Sequence, residues 1–128
     1  MIIQQISVFV ENKPGTLAEV LDVLKAHSIN LRAITVADTA DFGILRMIVN
    51  NPGEAEGILR QAGFTVKITP VLCIVLEDTP GNLHQKVQHL SAAGINIEYM
   101  YAFSGMGTQE ARVVLKVDDL TRAEGLFN

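Results

Sequence analysis

The sequence predicts an α+β protein of two tandem ferredoxin-like domains, each with the element order βαββαβ. The first observation behind this prediction is an internal repeat. Residues 10–17 (VENKPGTL) return as residues 76–83 (LEDTPGNL) at an offset of 66, and residues 55–59 (AEGIL) return as residues 123–127 (AEGLF) at an offset of 68. The second is that strand and helix patterns alternate in the same order in both halves. Repeats this long are domains rather than solenoid units, so we place the domains at residues 1–69 and 70–128.

The first copy begins with a strand followed by a helix. Ile6, Val8 and Val10 alternate with other residues, which predicts a strand with one apolar face. Turn-forming residues 12–15 (NKPG) end this strand. A helical apolar stripe follows them, and Pro14 is expected at the first helical position, where a missing N–H costs nothing. The stripe consists of Leu17, Val20, Leu21 and Leu24.

The rest of the first copy predicts a hairpin, a helix and a strand. Residues 30–50 form the hairpin, with a turn at 38–41. Residues 51–53 (NPG) open a short helix that ends at Gly63, and residues 64–68 form the fourth strand. In the ferredoxin-like arrangement these elements make a four-stranded antiparallel sheet with both helices on one face.

The second copy follows the same order but is shorter. We predict strands at 71–77, 95–103 and 111–117, and helices at 80–93 and 120–127, with a hairpin turn at 104–107. Asn128 corresponds to Arg60, so the second copy lacks its last strand. The place of that strand is expected to be either an open sheet edge or a slot filled by another chain.

Composition excludes several classes of function. The formal net charge of −4 argues against nucleic acid as a partner, and no apolar run approaches the ~20 residues of a membrane span. The chain begins MIIQQ, which is not a secretory signal, so we expect a soluble cytoplasmic protein. The three histidines, His27, His84 and His89, are not spaced as metal ligands are. The one cysteine, Cys73, is interpreted as a small buried apolar residue. We therefore expect no metal and no cofactor.

The repeated loops between the first strand and first helix of each copy are the candidate binding sites. A helix N-terminus suits the carboxylate of a small ligand, and Gly15 and Gly81 leave the backbone accessible. The Asn12 amide can address either end of a zwitterion, whereas the Asp78 carboxylate suits an ammonium. The alternative is that both loops are only turns, in which Asn12 and Asp78 cap the helices.

Asn30 and Asn96 stand where each copy passes from a helix to its second strand. Asparagine is depleted in strands, so its presence at both positions requires a cause. One cause is a turn with positive φ, which asparagine tolerates. The other is a side-chain amide directed at a ligand site.

Two segments of the first copy, residues 12–17 (NKPGTL) and 29–31 (INL), return in the second copy as residues 78–83 (DTPGNL) and 95–97 (INI). With these segments the chain resembles the ACT domain, a small regulatory module that binds amino acids. The resemblance implies a stand-alone tandem protein without an enzyme domain, with an amino acid held at the interface between ACT domains and with a homodimer as the expected assembly. It also implies a set of ligand-binding residues. These are Asn12, Lys13, Pro14, Gly15, Thr16, Asn30, Asp78, Thr79, Pro80, Gly81, Asn82 and Asn96.

Two other functions compete with amino-acid sensing. The first is enzymatic, since some ferredoxin-like proteins are acyl-phosphate hydrolases, but their chemistry requires an arginine in the loop that Lys13 and Thr79 occupy here. The second is a regulatory assembly subunit of an amino-acid biosynthetic enzyme, in which one or both copies do not bind a ligand. The sequence favours a non-catalytic protein and does not identify the amino acid.

Overall fold

The computed structural model describes residues 1–38, 42–104 and 110–127, so most of the two predicted hairpin turns lies outside the described residues. Within these ranges six strands and four helices follow the predicted order, which confirms the predicted fold class. The elements are β1 (Ile2–Glu11), α1 (Thr16–Ala26), β2 (Leu31–Asp38), β3 (Phe42–Val49), α2 (Pro52–Gln61), β4 (Thr65–Glu77), α3 (Asn82–Ala92), β5 (Ile97–Ser104), β6 (Glu110–Val117) and α4 (Leu120–Leu126).

The chain divides into two units. The N-terminal unit is Gln4–Thr69, and the C-terminal unit comprises Met1–Ile3 together with Pro70–Asn128. No helix in the described part of the chain combines the length and hydropathy that crossing a bilayer requires.

The N-terminal unit has the strand order β2-β3-β1, with both pairs antiparallel. Val8 of β1 and Val36 of β2 both lie opposite Leu45 of β3. The two helices supply the other half of the core, because their apolar stripes face the sheet. The buried core residues are Ile6, Val8, Val10, Val20, Leu24, Leu45, Met47, Val49, Ala55, Leu59 and Val66.

The C-terminal unit repeats this plan with the strand order β4-β6-β5. Ile74 of β4 lies opposite Val113 of β6, and Met100 of β5 lies opposite Leu115. Leu90 of α3 takes the position that Leu24 has in α1, and both leucines are buried. The buried core residues are Leu72, Ile74, Leu90, Ile95, Val113, Leu115, Val117 and Ala123.

The prediction of separate strands at 64–68 and 71–77 was wrong, because β4 is one strand of 13 residues. Pro70 lies within it. Proline cannot donate a ladder hydrogen bond, but its restricted φ is compatible with extended backbone, so the strand continues through this position. Residues 65–69 of β4 belong to the N-terminal unit and residues 70–77 to the C-terminal unit.

The first residues of the chain lie beside β4 in the C-terminal unit. The Cys73 amide donates to Met1 O at 2.8 Å, and the Met1 amino group donates to Cys73 O at 3.2 Å. Glu124 of α4 accepts a hydrogen bond from the Ile2 amide at 3.1 Å. In a ferredoxin-like sheet the last strand pairs with the first, so residues 1–3 stand where the last strand of a βαββαβ unit would lie. The chain's own amino-terminal residues therefore occupy a position that was expected to be open or filled by another chain.

We expect Glu124→Ala to lower the free energy of unfolding by about 1 kcal/mol, because the Ile2 amide loses a charged acceptor in a partly exposed setting. Glu56 offers a matched control, since it holds the corresponding position in α2 and forms an i,i+4 ion pair with Arg60 at 3.6 Å. Glu56→Ala should cost no more than about 0.5 kcal/mol. Urea denaturation of both variants tests this, and equal losses would contradict the role of Glu124.

Candidate functional site

The two predicted loops share one backbone conformation. Loop 1 (residues 12–15) leads into α1 and loop 2 (residues 78–81) leads into α3. Each ends in a left-handed glycine at the N-cap, Gly15 with φ 95° and Gly81 with φ 91°. An added Cβ would meet no atom within 4 Å at either glycine. The backbone conformation, rather than a lack of space, therefore requires glycine at both positions.

The helices begin later than the sequence indicated. Pro14 was expected at the first position of its helix and Pro80 at the start of the corresponding helix, but α1 begins at Thr16 and α3 at Asn82. Both prolines therefore lie within the loops. The reason is the left-handed glycine that follows each proline, since its positive φ cannot belong to a right-handed helix.

The residue after each glycine braces its loop. Thr16 Oγ1 lies 2.7 Å from Glu11 O and 3.0 Å from Lys13 O, and its single O–H is shared between these two carbonyls. In loop 2, Asn82 Nδ2 donates to Glu77 O at 2.9 Å and to Thr79 Oγ1 at 2.8 Å. Thr16 and Asn82 were predicted to bind a ligand, and the structure shows that their donors hold the loop backbone. Such internal hydrogen bonds keep each loop in one geometry.

Asn12 and Asp78 lie in exposed bends directly after β1 and β4. The alternative that they cap the helices is wrong, because the N-caps are glycines and neither α1 nor α3 receives a side-chain cap. By contrast, α4 is capped by Asp119, whose carboxylate accepts from the Arg122 amide. The N–H groups at the starts of α1 and α3 are thus not taken by a capping side chain, and ligand contact by Asn12 and Asp78 stays a prediction.

A cavity of about 250 Å³ lies beside loop 1 in the N-terminal unit. Loop 1, the end of β1, the first turn of α1 and the start of β4 form its walls. Of the predicted ligand-binding residues, Lys13 and Thr16 line it. Its lining residues are Phe9, Val10, Glu11, Lys13, Thr16, Glu19, Gly63, Phe64 and Thr65.

Three charged side chains surround this cavity. Lys13 Nζ lies 3.2 Å from Glu11 Oε2, and the two side chains are 62% and 64% exposed. An ion pair so exposed contributes at most about 1 kcal/mol, so either partner can change to a ligand at little cost. Glu19 adds a second carboxylate from the first turn of α1.

Sequence reasoning missed most of the cavity wall. Phe64 and Thr65 come from the far end of the first copy, and no local pattern relates them to loop 1. Glu19 could have been found, because it stands four residues after Gly15 and therefore in the first turn of the helix that follows loop 1. Phe9 could also have been found, since it stands between Val8 and Val10 and therefore points to the opposite face of β1.

Asn30 and Asn96 are exposed and precede β2 and β5. The positive-φ explanation for them is wrong, because the left-handed residues of these turns are Ser28 and Gly94. The Asn96 backbone is held by Asp118, whose Oδ1 accepts from the Asn96 amide at 3.0 Å and whose own amide donates to Asn96 O at 3.2 Å. Neither asparagine lines the cavity beside loop 1, and their contact with a ligand remains a prediction.

Other reactive groups in the described part of the chain do not converge on a site. Cys73 is buried, as expected, and burial raises the pKa of its thiol, while the positive charges of Arg112 and the amino terminus oppose that shift. A raised pKa disfavours the nucleophilic thiolate. Among residues 1–38, 42–104 and 110–127, no three His, Cys, Asp or Glu side chains are placed to hold a metal ion.

Comparison with known proteins confirms the resemblance to the ACT domain. The profile of the family described as "ACT domain pair" matches residues 1–127. No curated protein matches the chain. The match covers both copies, so the repeat in the sequence and the pair in the family description agree.

Solved structures with the same fold include a protein of higher identity and several distant ones. Protein BT0572 from Bacteroides thetaiotaomicron is 41% identical, with a TM-score of 0.93, over 99% of this chain and 87% of that one. The regulatory subunit of aspartate kinase from Thermus thermophilus, in a ligand-free form, is 19% identical, with a TM-score of 0.68, over 98% of this chain and 92% of that one. The regulatory subunit from Thermus flavus is 15% identical, with a TM-score of 0.66, over 100% and 96% of the two chains. At such low identity the two Thermus proteins show the fold alone.

Proposed function

The chain belongs to the family of ACT domain pairs, and from this membership we propose that it is a non-catalytic regulatory protein that senses an amino acid. The observation that supports this most directly is the cavity beside loop 1. Its volume of about 250 Å³ falls below the ~300–1,000 Å³ of pockets for drug-sized ligands, which suits a ligand as small as an amino acid.

The groups around the cavity match the two ends of a zwitterion. The Lys13 ammonium can receive the ligand carboxylate, and the Glu11 and Glu19 carboxylates can receive its ammonium. The braced backbone of loop 1 holds Lys13 close to the cavity, which reduces the ordering cost of binding. Loop 2 has the same backbone form, and its predicted residues Asp78, Thr79, Pro80, Gly81 and Asn82 make up a second, non-equivalent candidate site.

A sensor of this kind acts through the arrangement of ACT domains. A ligand shifts the equilibrium between two arrangements only by the difference in its affinity for them. We propose that the protein is a homodimer in which the ligand site faces an ACT domain of the second chain. The edge strand β2 supports a dimer, because its side chains Ile34 and Val36 are 42% and 54% exposed.

Thermal melting against each of the twenty amino acids tests this function. We expect one ligand, or a few related ones, to raise the melting temperature by several degrees, because a ligand at 100 times its Kd adds about 2.7 kcal/mol of stability. The shift should grow with ligand concentration. The absence of a shift with all twenty would reject amino-acid sensing.

The double variant Asn12→Ala, Asp78→Ala tests whether these two side chains contribute to the ligand-induced rise in melting temperature. Both side chains are exposed and cap no helix, so we expect the variant to fold. Neither side chain lines the cavity beside loop 1, so we expect the variant to lose only the part of the ligand-induced shift that their own contacts contribute. A full shift in the double variant would move the site away from these two residues.

The alternative function is that of a regulatory assembly subunit of an amino-acid biosynthetic enzyme. Two structures with the same fold are described as regulatory subunits of aspartate kinase, which shows that this fold can serve as a separate regulatory chain. Affinity capture with the intact chain distinguishes the two functions. An assembly subunit would retain a biosynthetic enzyme whether or not amino acids are present.

A further inference from the structure

The cavity beside loop 1 has an unequal set of charges. Its lining includes one cationic side chain, Lys13, and two anionic ones, Glu11 and Glu19. A neutral amino acid brings one anion and one cation, so it would leave one of these carboxylates without a cationic partner. An acidic amino acid would leave the same imbalance and add a further negative charge. A basic amino acid brings one carboxylate and two cations, which matches the three side chains one to one.

The remaining walls suit an aliphatic stem between the charged ends. Phe9 is 41% exposed, although it is large and apolar, and it lines the cavity. Phe64 lines another part of the wall and packs against the N-terminal core, which holds its ring in place. Methylene groups placed against these rings would lose contact with water, which favours binding.

We propose that the cavity beside loop 1 binds an amino acid with a basic side chain. The ligand carboxylate pairs with Lys13, its two cationic groups pair with Glu11 and Glu19, and its stem lies against Phe9 and Phe64. This inference rests on the proposed function, because it specifies the class of amino acid for that site.

The second copy keeps only one of the three charges, because Glu11 corresponds to Glu77. At the offset of 66, Lys13 corresponds to Thr79 and Glu19 corresponds to Gln85. Phe9 corresponds to Val75, which is smaller. Selection for a basic side chain is therefore a property of loop 1 and its surroundings.

Calorimetric titration of the whole chain with three probes tests the class of ligand. L-Lysine carries both cations, L-norleucine has the same stem length without the terminal ammonium, and L-glutamate carries an additional carboxylate. We expect L-lysine to bind about tenfold more tightly than L-norleucine, and L-glutamate to bind most weakly. The preference for L-lysine should decrease with added salt, because the pairs that produce it are partly exposed.

Two variants tie this preference to the cavity. We expect Glu19→Gln to weaken L-lysine binding about tenfold and to change L-norleucine binding less. Glu54→Gln removes an exposed carboxylate from the first turn of α2, which does not line the cavity, and serves as the matched control, with binding unchanged. Both side chains are exposed, so neither change disturbs a core.

The possible failures are distinguishable. Equal affinity for L-lysine and L-norleucine, or tighter binding of L-glutamate, overturns the charge-based selection but leaves amino-acid sensing intact. A loss of L-lysine affinity in Glu54→Gln as large as in Glu19→Gln overturns the assignment to this cavity. The absence of a response to all twenty amino acids would reject the proposed function together with this inference.

Discussion

Replacing Leu24 by alanine is expected to lower the free energy of unfolding by about 2–5 kcal/mol. Leu24 of α1 is 2% exposed and belongs to the core that the two helices form with the sheet of the N-terminal unit. Truncation removes buried apolar surface and leaves a cavity, and both effects destabilise the folded state. The Leu24 carbonyl also accepts the Ile29 amide at 2.9 Å, where the chain leaves α1 for β2.

Leu17 provides the matched control for this prediction. It lies on the same helix and belongs to the same predicted stripe, but it is 39% exposed. Leu17→Ala should therefore cost no more than about 1 kcal/mol, since much of the side chain is already in contact with water. Chemical denaturation of both variants measures the difference. Similar losses for the two leucines would show that burial in α1 is not arranged as described.

Replacing Gly15 or Gly81 by alanine is expected to destabilise the protein by about 1–2 kcal/mol in each case. Their φ values of 95° and 91° lie in the left-handed region, which a residue with a Cβ adopts at a cost. Open space around both glycines excludes a clash as the cause. We also expect Gly15→Ala to weaken amino-acid binding, because loop 1 would lose the backbone form that places Lys13 beside the cavity.

Gly53 is the control that separates conformation from size. It lies in α2 and has the same open surroundings, but its φ is not positive. Alanine is favoured over glycine in a helix by about 0.5–1 kcal/mol, so Gly53→Ala should leave stability unchanged or raise it. If Gly53→Ala and Gly15→Ala destabilised the protein equally, the left-handed conformation would not be the reason for glycine in loop 1.

The two copies illustrate how one backbone can carry different chemistry. Loop 1 and loop 2 share the left-handed glycine and a bracing side chain after it, Thr16 in one and Asn82 in the other. The residues available to a ligand differ, because Lys13 is replaced by Thr79 and Asn12 by Asp78. Duplication therefore preserved the helix start while the surface around it diverged.

The amino-acid sequence by itself determined the architecture of this protein. Periods of two and of about 3.6 residues mark which side chains face a core, and these patterns are local, so the order of strands and helices could be read directly. Ile6, Val8 and Val10 were predicted to share a face of β1, and all three are buried in the core of the N-terminal unit. The repeated loop is also a local pattern, so both the loop and the resemblance to the ACT domain could be identified from the sequence.

Only the tertiary structure decided which residues form the cavity and what lies at the edge of β4. Phe64 and Lys13 are 51 residues apart in sequence and line one cavity, while Ile2 and Glu124 are joined by a hydrogen bond across a separation of 122 residues. Such contacts depend on how packed elements bring distant segments together, and no local periodicity records them. The tertiary structure also decided that α1 begins at Thr16, because the sequence shows Gly15 but not the sign of its φ.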